Sequence, residues 1–213
     1  MNAITEMLTR QLAGGAMSEI SRKIGADTGT TGRALSMAIP LLISALARNS
    51  STPEGAQALN QAVAKDHEGS ILDNLGGFLN NSESANGAGI LGHVLGERRG
   101  DVETGLAQST GLEPSAAGRL LETVAPMVMG ALGKTQQQQG LDANGLSAFL
   151  GNQQQEAQSS APDVMGMLGS FLDSNKDGSV MDDVGTSQQT VWRVIAWERT
   201  RAACAPRITK GDV

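Results

Sequence analysis

Gly25 to Arg48 reads GADTGTTGRALSMAIPLLISALAR, and Gly111 to Lys134 reads GLEPSAAGRLLETVAPMVMGALGK. The two stretches align without a gap. Gly25 falls on Gly111, Gly32-Arg33 on Gly118-Arg119, Leu35 on Leu121, Pro40 on Pro126 and Ala45-Leu46 on Ala131-Leu132. Each opens with small and capping residues and then turns apolar, the pattern of a helix that starts at a cap and runs into a core. A proline in the middle lacks an N–H and crowds the preceding turn. Each segment is therefore expected to kink there or to restart as a new helix.

Outward from this pair, other segments read as helices. Met1 to Ala13 carries Ile4, Met7, Leu8 and Leu12 at helical spacing and stops at Gly14-Gly15. Ser18 to Ile24 is a short helix with Gly25 as its C-cap. Ser51-Thr52-Pro53-Glu54 is a helix start, a hydroxyl followed by proline and an acid, and that helix is expected to reach Lys65. Ile71 to Leu79, ILDNLGGFL, reads as one helix. After the polar stretch Asn80 to Gly89, short helices are expected at Ile90–Leu95 and Asp101–Thr110, then the repeated long one. The Gln-rich runs 136–139 and 153–155 read as low-complexity loops around a helical fragment, Leu146–Leu150. Val164 to Leu172, VMGMLGSFL, matches Ile71 to Leu79. No stretch sustains the alternation of a strand. The expectation is an all-α, multi-helix bundle with an internal duplication and no sheet: a first half over 1–82, a second over 83–185, and an atypical tail over 186–213.

Composition narrows the chemistry. Aromatic residues make up 2 % of the 213 residues and there is no Tyr. The core must therefore be Leu, Ile, Val, Met and Ala, which suits closely packed helices. A net charge of −6 argues against unaided nucleic-acid binding, which needs clustered cations. One Cys excludes an intrachain disulfide. The N-terminus is not a signal peptide, and the longest apolar stretch, Ala38–Ala47, is about half of the ~20 residues a spanning helix needs. A soluble, cytoplasmic protein without a membrane span is expected. Its partner would be another protein, or a further copy of itself.

These residues resemble a known family. IGADTGTTGRALSMAIPLLISALARN, TPEGAQALNQAV and DHEGSILDNLGGFL, within Ile24 to Leu79, look like the bacterial YidB-like family of unknown function (domain of unknown function 937, DUF 937). The resemblance covers roughly residues 1 to 185. It implies a compact helical fold and no activity. By resemblance the chain would continue after Gly185 with Gly- and Leu-rich helix. Instead, Thr186 to Val213 holds Trp192, Trp197, Cys204, five basic and two acidic residues. An out-of-frame or misjoined end is the preferred reading, against a docking segment or a plain tail.

Asp173-Ser174-Asn175-Lys176-Asp177-Gly178-Ser179 is the stretch closest to a site. Oxygen side chains at positions one, three and five, then Gly, are what a calcium loop needs to curl round its ion. It looks like an EF-hand or dockerin-type loop. Asp173, Asn175 and Asp177 would ligate with the Ser179 carbonyl, and Asp182 or Asp183 would close the shell, because the twelfth position is Val184. An Asx-rich turn uses the same residues for backbone reasons alone, so both readings stand.

No catalytic set emerges. His67 and His93 lack an i, i+4 metal partner, no Ser sits in a nucleophile elbow, and the carboxylates are scattered. Met127, Met129, Met165 and Met167 read as core filling before a Met-lined partner groove. Gly87, Gly89, Gly92 and Gly96 carry no phosphate-loop lysine and read as close-packing positions. A non-enzymatic binding or structural module with weak calcium binding is expected. The alternative is a metal-independent scaffold in which the acidic loop is only a turn.

Overall fold

The computed structural model describes residues 3–12, 15–66, 70–81 and 86–160. All belong to the unit Met1–Phe171, one of two into which the chain divides; the other is Leu172–Val213. The acidic loop, both Trp, Cys204, Met165 and Met167 lie outside the described residues.

Every regular element among the described residues is helical. In chain order they are α1 (Ala3–Leu12), α2 (Ala16–Ile24), α3 (Thr28–Asn49), α4 (Pro53–Asp66), α5 (Ser70–Asp73), α6 (Leu75–Asn80), α7 (Gly87–Leu95), a 3-10 turn (Gly96–Arg98), α8 (Arg99–Thr110), α9 (Pro114–Gln139) and α10 (Ala143–Ser160). The fold is all-α, as the periodicity requires.

Local chemistry sets most boundaries. Gly25 ends α2 at φ 76° and Gly111 ends α8 at φ 78°, a left-handed conformation that costs glycine little. Asp27 caps α3, its carboxylate accepting from the Thr30 N–H at 2.9 Å. Hydrogen bonds from Thr30 hold that carboxyl below its usual range. Thr52 accepts from the Gly55 N–H at 3.1 Å and starts α4. Asp142 does the same for α10 through the Gly145 N–H at 2.7 Å.

The long helices α3 and α9 form the centre. They pack on each other; α9 also meets α1, α2, α4, α5, α7 and α8, and α3 meets α2, α4, α7, α8 and α10. From Leu120 to Gly133 every residue of α9 except Glu122 is buried. Burial on all sides is the mark of a core helix rather than a surface one. In α3 the run Leu41–Ala47 is likewise buried throughout. By length and composition α3 could cross a membrane, more than the apolar run Ala38–Ala47 implied. Its most apolar 18-residue window is 67 % buried inside the protein.

Several expectations need correction. Neither proline starts a new helix: α3 contains Pro40 and α9 contains Pro126 in their interiors. Each proline leaves the carbonyl four residues earlier, Ser36 or Glu122, without its helical donor. Burial of the runs Leu41–Ala47 and Thr123–Gly133, which adjoin or contain the prolines, outweighs that local cost. Ile71–Leu79 is two helices, because Asn74 leaves helical geometry and caps α6, accepting from the Gly77 N–H at 3.1 Å. The Gln runs are not loops. Gln136–Gln139 form the last turn of α9, and Gln153–Gln155 lie inside α10, which is 18 residues long. Gln is a good helix former when unbranched packing suits it. Gln136 bonds the Asn60 side chain and the Leu141 carbonyl. Gln153 is buried and accepts from the Ile4 N–H at 3.5 Å.

A candidate binding groove between α4 and α7

Two glycines allow the helices flanking this region to approach the core. A side chain at Gly55 would lie 1.8 Å from the Asn49 carbonyl oxygen, and one at Gly87 would lie 1.9 Å from the Glu122 carbonyl oxygen. The first contact sets the start of α4 against the end of α3. The second sets the start of α7 against the carbonyl that Pro126 leaves free. The Asn49 side chain then donates to the carbonyls of His93 (3.3 Å) and Val94 (2.9 Å), two of the orphan acceptors at the end of α7.

Between the helices so placed lies a groove of about 1030 Å³. Ala58, Leu59, Ala62 and Lys65 of α4 form one wall, and Gly89, Ile90, His93 and Val94 of α7 the other. Leu46 and Met129 floor it, with Asn49, Gly55, Ile71 and Asn86 at its edges. Ala58 is exposed, and Ala62, Ile71, Ile90 and Val94 are half-buried. Among the described lining residues the only ionisable ones are Lys65 and His93; none is acidic. The groove can hold an apolar body of helix size with a negative group near one wall. Its described lining brings together no acid, base and nucleophile within reach of one another.

A second hollow, about 410 Å³, lies beside α1 and is lined by Glu6, Met7, Arg10, Gln11 and Lys134. The buried faces of α1 and α7 correspond in register: Ile4, Leu8 and Leu12 against Gly87, Leu91 and Leu95. In that register Glu6, Met7, Arg10 and Gln11 fall on Gly89, Ile90, His93 and Val94. The same helix positions thus line both hollows, and Met7 like Ile90 is apolar, but α1 presents an Arg10–Glu6 ion pair where α7 presents His93 and Gly89, and Gln11 where α7 presents Val94.

A charged group joins α8 to α9. Arg99 Nε donates to Glu103 at 2.6 Å and its Nη2 to Glu122 at 2.5 Å. These two bonds, to Glu103 first, raise the guanidinium further above its ordinary range. Gly118 leaves room for the Glu103 carboxylate, which a side chain there would approach to 3.1 Å. With both partners satisfied, the group is a clamp between helices.

Of the residues singled out in the sequence, His93 is exposed on the last turn of α7 and lines the groove. Met127 and Met129 are buried in α9, with Met129 reaching the groove floor. Gly87 is a close-packing position, whereas Gly92 faces open space and Gly96 ends α7 at φ 56°. His67 and the six proposed calcium ligands, Asp173, Asn175, Asp177, Ser179, Asp182 and Asp183, lie outside the described residues. Among the described residues no cluster of three or more His, Cys, Asp or Glu could hold a metal ion. No motif in the sequence announces the groove. Its one signal is Ala58/Ala62 and Ile90/Val94, apolar pairs four residues apart that lie beside the buried stripes of their helices.

Comparison with known proteins gives a family and no activity. No curated protein and no solved structure matches the chain. The family described as bacterial protein of unknown function (DUF937) matches residues 6–136. That match runs from α1 to the last turn of α9 and includes both long helices and all the described groove lining. Covering more than half of the sequence, it makes this chain a member of the DUF937 family of bacterial proteins.

Proposed function

We propose that the protein is a non-enzymatic binding module of the bacterial cytoplasm, and that the groove between α4 and α7 receives an apolar helical segment of a protein partner. The observation that carries this is the groove's lining: exposed and half-buried apolar side chains with Lys65 and His93 as the described ionisable groups. An amphipathic helix with a carboxylate beside its apolar face complements that surface. The Arg10–Glu6 ion pair and Gln11 at the matching positions of α1, where α7 has His93, Gly89 and Val94, are why one hollow would bind an apolar helix and the other, about 410 Å³, would not. A photo-reactive residue in place of Ala58 should give a partner adduct in the native cell. The adduct should disappear when Ile90→Asp is added, and a photo-reactive residue at exposed Gln108 of α8 should give none. Equal labelling from positions 58 and 108, unaffected by Ile90→Asp, would sink the groove as the docking site.

Weak calcium binding at Asp173, Asn175 and Asp177, with the Ser179 carbonyl and Asp182 or Asp183, belongs to the same proposal. The oxygen spacing supports it. Val184 in place of the closing bidentate acid sets the affinity at roughly 10⁻⁴ to 10⁻³ M. Millimolar calcium should release heat in calorimetry and raise the melting temperature, because a ligand of the folded state stabilises it by mass action. Asp177→Ala should abolish both effects. If the unaltered chain shows neither heat nor a shift, the loop is a turn and the metal-independent scaffold reading replaces it.

A further inference from the structure

The tripeptide Ala-Asn-Gly occurs twice, at 85–87 and at 143–145. Asn followed by Gly is open to spontaneous deamidation, because glycine has no side chain to keep its own nitrogen away from the Asn amide. The Gly nitrogen attacks the Asn Cγ, and ammonia leaves as a five-membered succinimide ring closes. Water then opens the ring at one of its two carbonyls and gives aspartate or isoaspartate. Nothing is oxidised or reduced, and water is the only co-reactant.

Both Asn residues are exposed at the start of a helix, yet their settings differ. Asn144 is the second residue of α10 and already helical. The nitrogen that would attack it is occupied, since Gly145 donates its N–H to the Asp142 carboxylate at 2.7 Å. Asn86 lies outside its helix, as the cap of α7. Among the described residues it is the one non-glycine with a positive φ, 50°. Its side chain makes no capping hydrogen bond, although its amide lies against Gly89. Gly87, the first residue of α7, has no acceptor for its N–H inside the helix.

The product matters because of where it forms. Isoaspartate carries the main chain through its side-chain carbon and so inserts one extra backbone atom between positions 86 and 87. Gly87 has no room to absorb it, since even a Cβ there would stand 1.9 Å from the Glu122 carbonyl oxygen of α9. We propose that Asn86 is a site of spontaneous deamidation, that Asn144 in the same tripeptide is protected, and that isoaspartate at position 86 loosens α7 from α9.

Ageing of the full chain at mildly alkaline pH tests it. The digest is read by mass spectrometry with electron-transfer fragmentation, which separates isoaspartate from aspartate. In the native chain Asn86 should convert several-fold faster than Asn144, mostly to isoaspartate. In urea the two should convert at similar rates, because the tripeptide is the same and only the fold separates them. The fraction carrying isoaspartate should melt below the fresh chain. Asn86→Asp, which adds the charge without the extra backbone atom, should melt no lower than the fresh chain. Native conversion of Asn144 that matches or outruns Asn86 overturns the site, and so does a gap between them that persists in urea. An isoaspartate fraction that melts with the fresh chain overturns the loosening of α7.

Discussion

Gly87→Ala lowers the melting temperature by about 6–12 °C, the shift expected from a loss of about 3 kcal/mol in a domain of this size. The cause is steric and local. An added Cβ would stand 1.9 Å from the Glu122 carbonyl oxygen, 2.8 Å from its carbon and 3.1 Å from its Cα. All three are backbone atoms of a buried helix and have no rotamer in which to yield, so α7 itself must shift. Overpacking of this kind costs about 1–3 kcal/mol and more where the neighbour is rigid. The glycine Cα–H instead faces a carbonyl that Pro126 has released, a contact of the weak C–H···O type. Gly92→Ala, in the same helix, is the control. Nothing lies within 4 Å of the place its new methyl group would take, so helix propensity alone should raise stability by up to about 1 kcal/mol. Thermal melts of the two variants should therefore move in opposite directions. If both rise together, α7 does not approach α9 at Gly87, and the wall of the groove is placed wrongly.

Helix existence was legible because its signals are local. Asp27, Thr52-Pro53, Gly25 and Gly111 act within one turn of themselves, and their hydrogen bonds and dihedral angles match what the sequence implies. Tertiary effects were not legible in the same way. Pro40 and Pro126 are breakers on local grounds, yet each adjoins or lies within a run that is buried throughout, Leu41–Ala47 in α3 and Thr123–Gly133 in α9, and that burial favours continuity. The Gln runs have low complexity and also good helix propensity, and composition alone could not choose between those properties. Arg33 and Arg119 occupy matched positions in the two aligned stretches but have different partners. Arg33 bonds Thr30 on its own helix, whereas Arg119 reaches the Ile24 carbonyl at the end of α2. Two stretches that align in sequence therefore share helix positions more faithfully than side-chain partners. The groove depends on the separation of two helices that are distant in sequence, which no periodicity encodes. Only its lining, the second apolar side of α4 and α7, could be read.

The largest side-chain effect should come from α9. Leu121 is fully buried, next to Leu120 and Val124, which are also shielded from solvent. It lies on the helix that most of the others touch. Leu121→Ala removes transferred apolar atoms and leaves a cavity that helices held on several sides cannot close, a loss of about 2–5 kcal/mol. The midpoint of urea unfolding should fall with the slope unchanged, because the surface exposed on unfolding is nearly the same. Leu121→Met keeps most of the volume and should cost less than about 1.5 kcal/mol. Leu35, the matched residue of α3, is buried too, and Leu35→Ala should lose a comparable amount. A Leu121→Ala cost below about 1 kcal/mol would mean that the site collapses freely and that α9 is not enclosed. A large cost at Leu121 with almost none at Leu35 would mean instead that the two long helices share a sequence pattern without sharing a role in the core.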